Sequence, residues 1–461
     1  MSLAQTYARH ALAPIALSPE RNQWIRALLY DYLAVTLGGT ERESAQSARE
    51  AYAPLSLSES PASVVGGSFR LSAEDAALVN GITAHGLELD DTFEEASLHP
   101  GVVIFPALLA VAEEHGAELG ALLDAATVGY DIMCHVGVVL GAAECYGRGF
   151  HPTGVAGVIG ASAAVARLRG LTEEQTANAI GVAATMAAGS LEFLSDGSWT
   201  KRLNAGHAAA VGVRAVRLAG AGFIAPQAAL EGRDGFLYNF GEGFIPDRVA
   251  PLEAGAYAWR TSIKLYPCCR YMHGNLDLLL DIATERPCLT SDDIHDVEIA
   301  VIEAGARLVS QPAEAKFQVE SAVDAQFNMF FAAALALTTG TATVDQFDHA
   351  AELAPGLLPL MRKVRCVTSP TVETTFPTAW TAEARVTLVD GTVLTSNTKA
   401  FRGSPGARAT RDDLVAKATG LIGADRAERL LDVFERPRTD SARLLRDHHM
   451  NPVGLHQTLT T

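Results

Sequence analysis

His85-Gly-Leu-Glu-Leu-Asp-Asp-Thr-Phe-Glu-Glu-Ala-Ser-Leu-His-Pro-Gly101 crowds acids and imidazoles into a Gly-, Ala- and Leu-rich context that otherwise carries little charge. Upstream, Ser72 followed three residues later by Asp75 reads as a helix start. A helix running from there puts His85 and Glu88 on one face near its C-terminal end. Asp90 to Leu98 is too acidic for a core strand, and Pro100-Gly101 punctuates the chain before the apolar run Val102 to Ala112. The expected local order is a helix end, a short acidic loop, and a new helix whose N-terminal region carries His99. The competing reading is a solvated acidic loop with two incidental histidines.

Outward from this stretch, helical signals dominate. Ser18-Pro19 followed by Trp24, Ala27, Leu28, Tyr32 and Leu33 gives a capped amphipathic helix ending at Gly38-Gly39. Thr172-Glu173-Glu174-Gln175 is a capping box opening a helix through Ala188. Gly154, Gly157 and Gly160, three apart in an Ala-rich helix, let a neighbouring backbone approach. A phosphate cradle is the competing idea, but no Lys-Ser/Thr sequel follows and no evident strand precedes. After about residue 265 the texture changes. Val297 to Ile302 and Val364 to Val367 are β-branched runs, and Arg385 to Leu394 is a hairpin candidate turning at Asp390-Gly391. Helical runs Val323 to Leu337 and Asp345 to Leu353 are interleaved with them. From Arg411 the pattern is helical again, with a tail over the last dozen residues. The mixed α+β segment therefore reads as an insertion, after which the chain rejoins its first domain.

At 461 residues the chain has ample interior for two or three domains. A formal net charge of −17 argues against nucleic acid and anionic membranes as partners, and requires any site for an anion to be locally basic. The six cysteines, Cys134, Cys145, Cys268, Cys269, Cys288 and Cys366, lack zinc-type spacing, and adjacent Cys268-Cys269 suits a disulfide poorly. Reduced thiols in a cytoplasmic protein are expected. No basic region followed by an apolar stretch marks the N-terminus for export. Ala325 to Val344 is uncharged, but Gln326, Asn328, Gly340 and four threonines interrupt it, so a buried soluble helix is expected rather than a membrane span.

Four further segments carry chemistry. Tyr146-Gly-Arg-Gly-Phe-His-Pro-Thr-Gly154 sets a phenol, a guanidinium and His151 in a tight turn before a helix. Ser198 to His207 supplies Lys201 and Arg202 among small neutral residues. Ser262 to His273 brings Lys264, Cys268, Cys269, Arg270 and His273 to the junction of the two textures. Ala325-Gln-Phe-Asn-Met-Phe-Phe331 opens the uncharged helix. In order and spacing, these segments and the acidic block resemble the MmgE/PrpD family, which includes 2-methylcitrate dehydratase, cis-aconitate decarboxylase and iminodisuccinate epimerase. The resemblance spans nearly the whole chain. It implies a mainly α fold: a large all-helical domain, discontinuous over 1–265 and 400–461, with a smaller inserted α+β lid domain over 266–399. It further implies an active site in the cleft between them and a homodimer with no cofactor and no metal.

Carried over residue by residue, the resemblance assigns catalysis to His99, His151, Lys201 and Lys264, with Tyr146 paired to Lys201 as opposed bases in an epimerase-type reaction. It places Glu88, Asp91, Thr92, Cys269, Arg270 and His273 about the substrate. The chain also departs from the family. Glu88 stands where the decarboxylase has Asp, Cys269 where it has a pocket His, and the interval from Thr92 to His99 is one residue longer. Asn328 and Phe331 stand where Ser and Tyr are frequent. The implied reaction makes or breaks a bond at carbon beside a carboxylate of a small anionic di- or tricarboxylate, so cations must hold the developing charge. Lys201, Lys264 and Arg270 are the candidates, and His99 and His151 titrate near neutrality. Three functions follow as alternatives: a cofactor-independent dehydratase or decarboxylase, an epimerase, or a non-catalytic carboxylate-binding relative. Bland readings stand beside each role. His151 could cap the following helix, His99 could be a first-turn structural residue, and Cys268 and Cys269 could be small buried residues. His85, His207 and His273 are divided between core hydrogen bonding and support of the site. His448-His449 lies in the tail and is assigned nothing.

Overall fold

The Ser18 hydroxyl accepts from the Arg21 amide at 3.3 Å and Pro19 takes the first helical position, so the chain enters the helix Pro19–Gly38 already capped. Thr172 and Gln175 close the expected capping box, at 3.2 and 3.1 Å, ahead of the helix Glu173–Thr185. That helix stops short of Ala188. The carbonyl of Gly189 is taken by the His151 amide at 2.8 Å and Phe150 pairs with Ser190, which draws the chain out of helical geometry.

The computed structural model describes residues 1–287, 289–376 and 380–440; Cys288, the expected tail and His448-His449 lie outside them. It is mainly α. Two compact units divide the chain, Met1–Thr261 with Arg411–Thr461, and Ser262–Thr410. In the first unit, helices Ala73–Ala84, Gly101–His115, Leu119–Leu140, Pro152–Leu168 and Thr200–Gly220 pack on one another around an Ala- and Val-rich interior. The only departure from helix by strands among its described residues is a short antiparallel pair, Ala62–Ser63 with Arg70–Leu71. Close approach is built on glycine. A Cβ added at Gly81 would lie 2.7 Å from the Cα of Gly206, and one at Gly160 would overlap Met133 and lie 2.9 Å from the Gly129 carbonyl. Only Leu119–Leu140, among the described helices, is long and apolar enough to cross a membrane, and 89% of its apolar window is buried inside the unit as a core helix. The returning segment contributes Arg411–Ile422, from which partly buried Lys417 reaches Asp31 at 2.6 Å and the Leu89 carbonyl at 2.8 Å.

In the second unit a four-stranded sheet runs in the order Val364–Val367, Ile294–Ala300, Ala382–Leu388, Val393–Thr398. The first pair is parallel and the other two antiparallel. Alternation buries Ala382, Ala384, Val386 and Leu388 on one face. The hairpin turns at Asp390-Gly391 as its sequence predicts, with Gly391 at φ 86° and the Asp390 carboxylate accepting from the Thr392 amide at 2.8 Å. Helices His273–Glu285 and Met329–Thr339 pack against the sheet. The single helix expected over Val323 to Leu337 is broken: Asn328 leaves helical geometry and its side chain caps Met329–Thr339 through the Phe331 amide at 3.0 Å. Met329 to Leu337 are all buried within the unit.

Candidate active site

The order is the expected one, a helix end, a short acidic loop and a new helix, but the loop is buried and doubly reversed, not the solvated loop of the competing reading. The helix stops at Ala84, a 3-10 turn covers His85–Leu87, and Glu88 adopts the left-handed region at φ 54°. His85 and Glu88 therefore do not share the helical face that their spacing predicts, because the turn tightens and the chain reverses between them. Ser97 reverses it again at φ 50°, closing a loop in which Phe93 pairs with Leu98. Glu88 and Ser97 are the two non-glycine residues with left-handed backbone among the described residues. Such positions cost about 1 kcal/mol or more each and persist where surrounding structure enforces them. Here the two reversals fold Asp90, Asp91, Thr92 and His99 together, all buried. His99 precedes the helix Gly101–His115 instead of lying within it.

Asp90 lies between two imidazoles. Its Oδ1 is 3.0 Å from His85 Nδ1 and its Oδ2 3.0 Å from His99 Nδ1. The His99 Nδ1 also hydrogen-bonds the Asp91 carbonyl oxygen at 2.9 Å and meets Thr92 Oγ1 at 3.3 Å. Burial would raise the Asp90 pKa, but the imidazoles of His85 and His99 outweigh it and hold the carboxyl well below its usual range. Asp91 is different. Burial pushes it up to about 7, against the hydrogen bonds it accepts from Tyr130 and from the Gly101 amide at 2.8 Å, while Asp90 and Asp31 add to the rise. A Cβ at position 101 would lie 2.9 Å from both Asp91 oxygens and from the Tyr130 hydroxyl, so this position needs glycine.

A third imidazole and one ammonium complete the group. His151, at the N-cap of Pro152–Leu168, makes no side-chain cap, so the helix-capping reading does not describe it. Its ring lies 6.1 Å from that of His85, stacked, and 6.4 Å from that of His99. Its Nδ1 is buried without a hydrogen-bond partner among the described residues. Burial, then the charges of Lys201, His85 and His99, push its pKa well below the usual imidazole value, with Glu88 acting the other way. His151 is therefore a neutral ring at physiological pH. Lys201, in the first turn of Thr200–Gly220, forms an ion pair with the buried Glu88 carboxylate. Glu88 is thus Lys201's counter-charge. Tyr146 is partly buried on the short helix Ala142–Gly147, in the turn leading to Phe150 and His151.

Within the second unit, Lys264 is wholly buried, and Cys268, Cys269, Arg270 and His273 are buried around the start of His273–Glu285. Arg270 Nη1 lies 3.1 Å from His273 Nδ1, and His273 Nε2 lies 3.2 Å from the Cys268 carbonyl oxygen. The Arg270 guanidinium stands over the Phe401 ring, 4.4 Å from its centre. The Cys269 amide donates to the Gln326 carbonyl at 2.8 Å.

His85, Asp90 and His99 are also the one group among the described residues whose donor atoms, all within 4.8 Å of one another, could hold a metal ion. Both imidazoles here turn Nδ1 toward oxygen acceptors, so an ion binding through those nitrogens would have to displace their protons. The sequence reading did not assign Asp90, Tyr130 or Lys417 to the site. The adjacent Asp90-Asp91 pair was a usable signal for the first. Nothing local signals Tyr130 or Lys417, which lie 39 residues from Asp91 and 328 from Leu89.

Buried imidazoles beside a carboxylate and an ion-paired ammonium on a helical scaffold are groups of the kind general acid–base chemistry uses. Residues 3–248 match the MmgE/PrpD N-terminal domain and residues 266–435 the MmgE/PrpD C-terminal domain. The chain belongs to the MmgE/PrpD family. Its relatives include the cis-aconitate decarboxylase-like protein oryM of Aspergillus oryzae, 28% identical over 78% of this chain and 77% of that protein. The cis-aconitate decarboxylases of Mus musculus and Homo sapiens are each 25% identical, over 89% and 94% of this chain and 85% and 91% of theirs. These relatives support an enzyme of lyase type.

Proposed function

We propose that the chain is a cofactor-independent lyase that breaks a bond at carbon beside a carboxylate of a small di- or tricarboxylate. The observation that carries this is the junction of charges in the first unit: three imidazoles, the Asp90 carboxylate and the Glu88–Lys201 pair in one buried group. Decarboxylation is the preferred reaction, since the relatives are named for it. In it the C–C bond to the departing carboxylate breaks, CO₂ leaves, and the electron pair passes into the adjoining unsaturated carboxylate. Charge developing there requires a fixed cation, the role we give Lys201. The carbanion then takes a proton from an imidazolium. His99 suits that role, because the ring turned toward Asp90 is stabilised when charged, whereas His151 is held neutral and orients the substrate by hydrogen bonding. Lys264 and Arg270, both buried in the second unit, are proposed as carboxylate-binding cations. Homodimerisation and a cytoplasmic location belong to the same reading.

The test is a screen of cis-aconitate, citrate, methylcitrate and iminodisuccinate in deuterated buffer. Release of CO₂ or water supports the lyase reading. Exchange of a C–H proton without loss of either would replace it with the epimerase alternative. Turnover of none would leave the carboxylate-binding reading, decided by calorimetry with the same four compounds.

A further inference from the structure

We propose that Asp90 is a positioning residue that fixes the Nδ1–H tautomer of His85 by hydrogen bonding and, together with the Asp91 carbonyl, that of His99, making Nε2 of His99 the atom that transfers the proton. The tautomer follows from geometry alone; only the transfer step rests on the function proposed above. An ionised carboxylate accepts and cannot donate: Asp90 Oδ1 is hydrogen-bonded to His85 Nδ1 at 3.0 Å, while Oδ2 stands 3.0 Å from His99 Nδ1 as an ion-pair contact without a hydrogen bond. The Asp91 carbonyl, 2.9 Å from His99 Nδ1, is a second acceptor that cannot donate. A lone pair at either Nδ1 would face these oxygens with repulsion, so the proton must sit there. Nε2 then carries the exchangeable site: a lone pair on the neutral ring, a proton on the imidazolium. For His85, Nε2 is buried and without a partner among the described residues, which leaves Asp90 as its one fixed anchor. The two rings lie 4.8 Å apart, so the carboxylate between them also offsets repulsion should both become charged. His85 thereby joins the site as the brace that holds Asp90 in place.

The experiment is two-bond ¹H–¹⁵N correlation NMR on the full chain labelled at histidine nitrogen, with His85→Gln and His99→Gln used for assignment. In the wild type, Nδ1 should carry a proton in both rings. Asp90→Asn keeps the size but replaces two acceptors with one acceptor and one donor, so at least one ring should change tautomer. On whichever of the four carboxylates the wild type turns over, Asp90→Asn should lower kcat by about 10²-fold, the usual scale for a proton-transfer group, with KM within about threefold. An Nε2–H tautomer in either wild-type ring would overturn the proposal, as would Asp90→Asn rings that stay unchanged or a variant with full kcat. If Asp90→Asn fails to fold, the wild-type spectrum decides the tautomer by itself. If the wild type turns over none of the four, the functional reading fails while the spectra still decide the role of Asp90.

Discussion

Asp91, held near 7, changes charge across the physiological range, and the sign of its effect on stability is fixed by linkage. Its folded pKa lies above the unfolded value of about 3.9, so the stability it contributes is full below that value and is lost as pH rises through about 7. Asp91→Asn keeps a polar group for Gly101 and Tyr130 without the ionisation. Thermal melts from pH 5 to 8 should therefore show the wild type losing ground to the variant, by a few kcal/mol at most. Parallel pH profiles would mean that Asp91 is ionised throughout. Asp31, pushed to about 6 by burial against the pull of Lys417, acts in the same direction in both proteins, relieved in the variant only of the repulsion of an ionised Asp91. At Lys201 the expectation separates fold from chemistry. Lys201→Met should lower kcat/KM by at least about 10²-fold and also destabilise, because the buried Glu88 carboxylate loses its ion pair with the ammonium. Adding Glu88→Gln should restore the thermal midpoint and leave activity lost. Recovered activity in the double variant would remove Lys201 from the mechanism.

Helix contacts respond to a single methyl according to what faces it. Gly160→Ala drives a Cβ into Met133 and the Gly129 carbonyl, so Pro152–Leu168 and Leu119–Leu140 must move apart, at about 1–3 kcal/mol. Gly420→Ala, in Arg411–Ile422 with nothing within 4 Å, should instead stabilise by up to about 1 kcal/mol. Calorimetry on the two variants checks the opposite signs. The same contrast explains what could be read from sequence. Ser18-Pro19, the Thr172–Gln175 box, the Asp390-Gly391 turn and the three spaced glycines act over a few residues, and each is where its local pattern put it. The helix through Glu88 failed for a non-local reason. Nothing between residues 85 and 88 says that Asp90 must return to His85, so the left-handed turn is imposed by partners the local pattern does not contain. The break at Asn328 was more legible, since Asn is a capping residue placed inside an apolar run.

For the molecule as a whole, the charge of −17 sets a diffuse negative field against which a local set of cations must act. Metal independence is tested at this scale too. Full-length protein treated with EDTA should keep its helical signal, thermal midpoint and activity; recovery only on adding a divalent ion would convert His85, Asp90 and His99 into a ligand set. The two textures of the sequence, helical and mixed, were visible because helix and strand periods differ. The tie that joins the chain's late segment to the acidic loop was not visible, because it rests on one lysine.

Lys417, bonded to the Leu89 carbonyl and to Asp31, emerges from the ribosome long after either of them. The gap from Leu89 is 328 residues, or roughly 16 to 66 seconds of synthesis at about 5–20 residues per second. Throughout that interval the loop that carries the imidazole pin lacks the ammonium that lies beneath it in the finished fold. The nascent first unit must wait, with Asp31 uncompensated, while the whole second unit is made. Assembly of the site is therefore among the last events in the birth of this chain, although most of its residues are among the first third to be made.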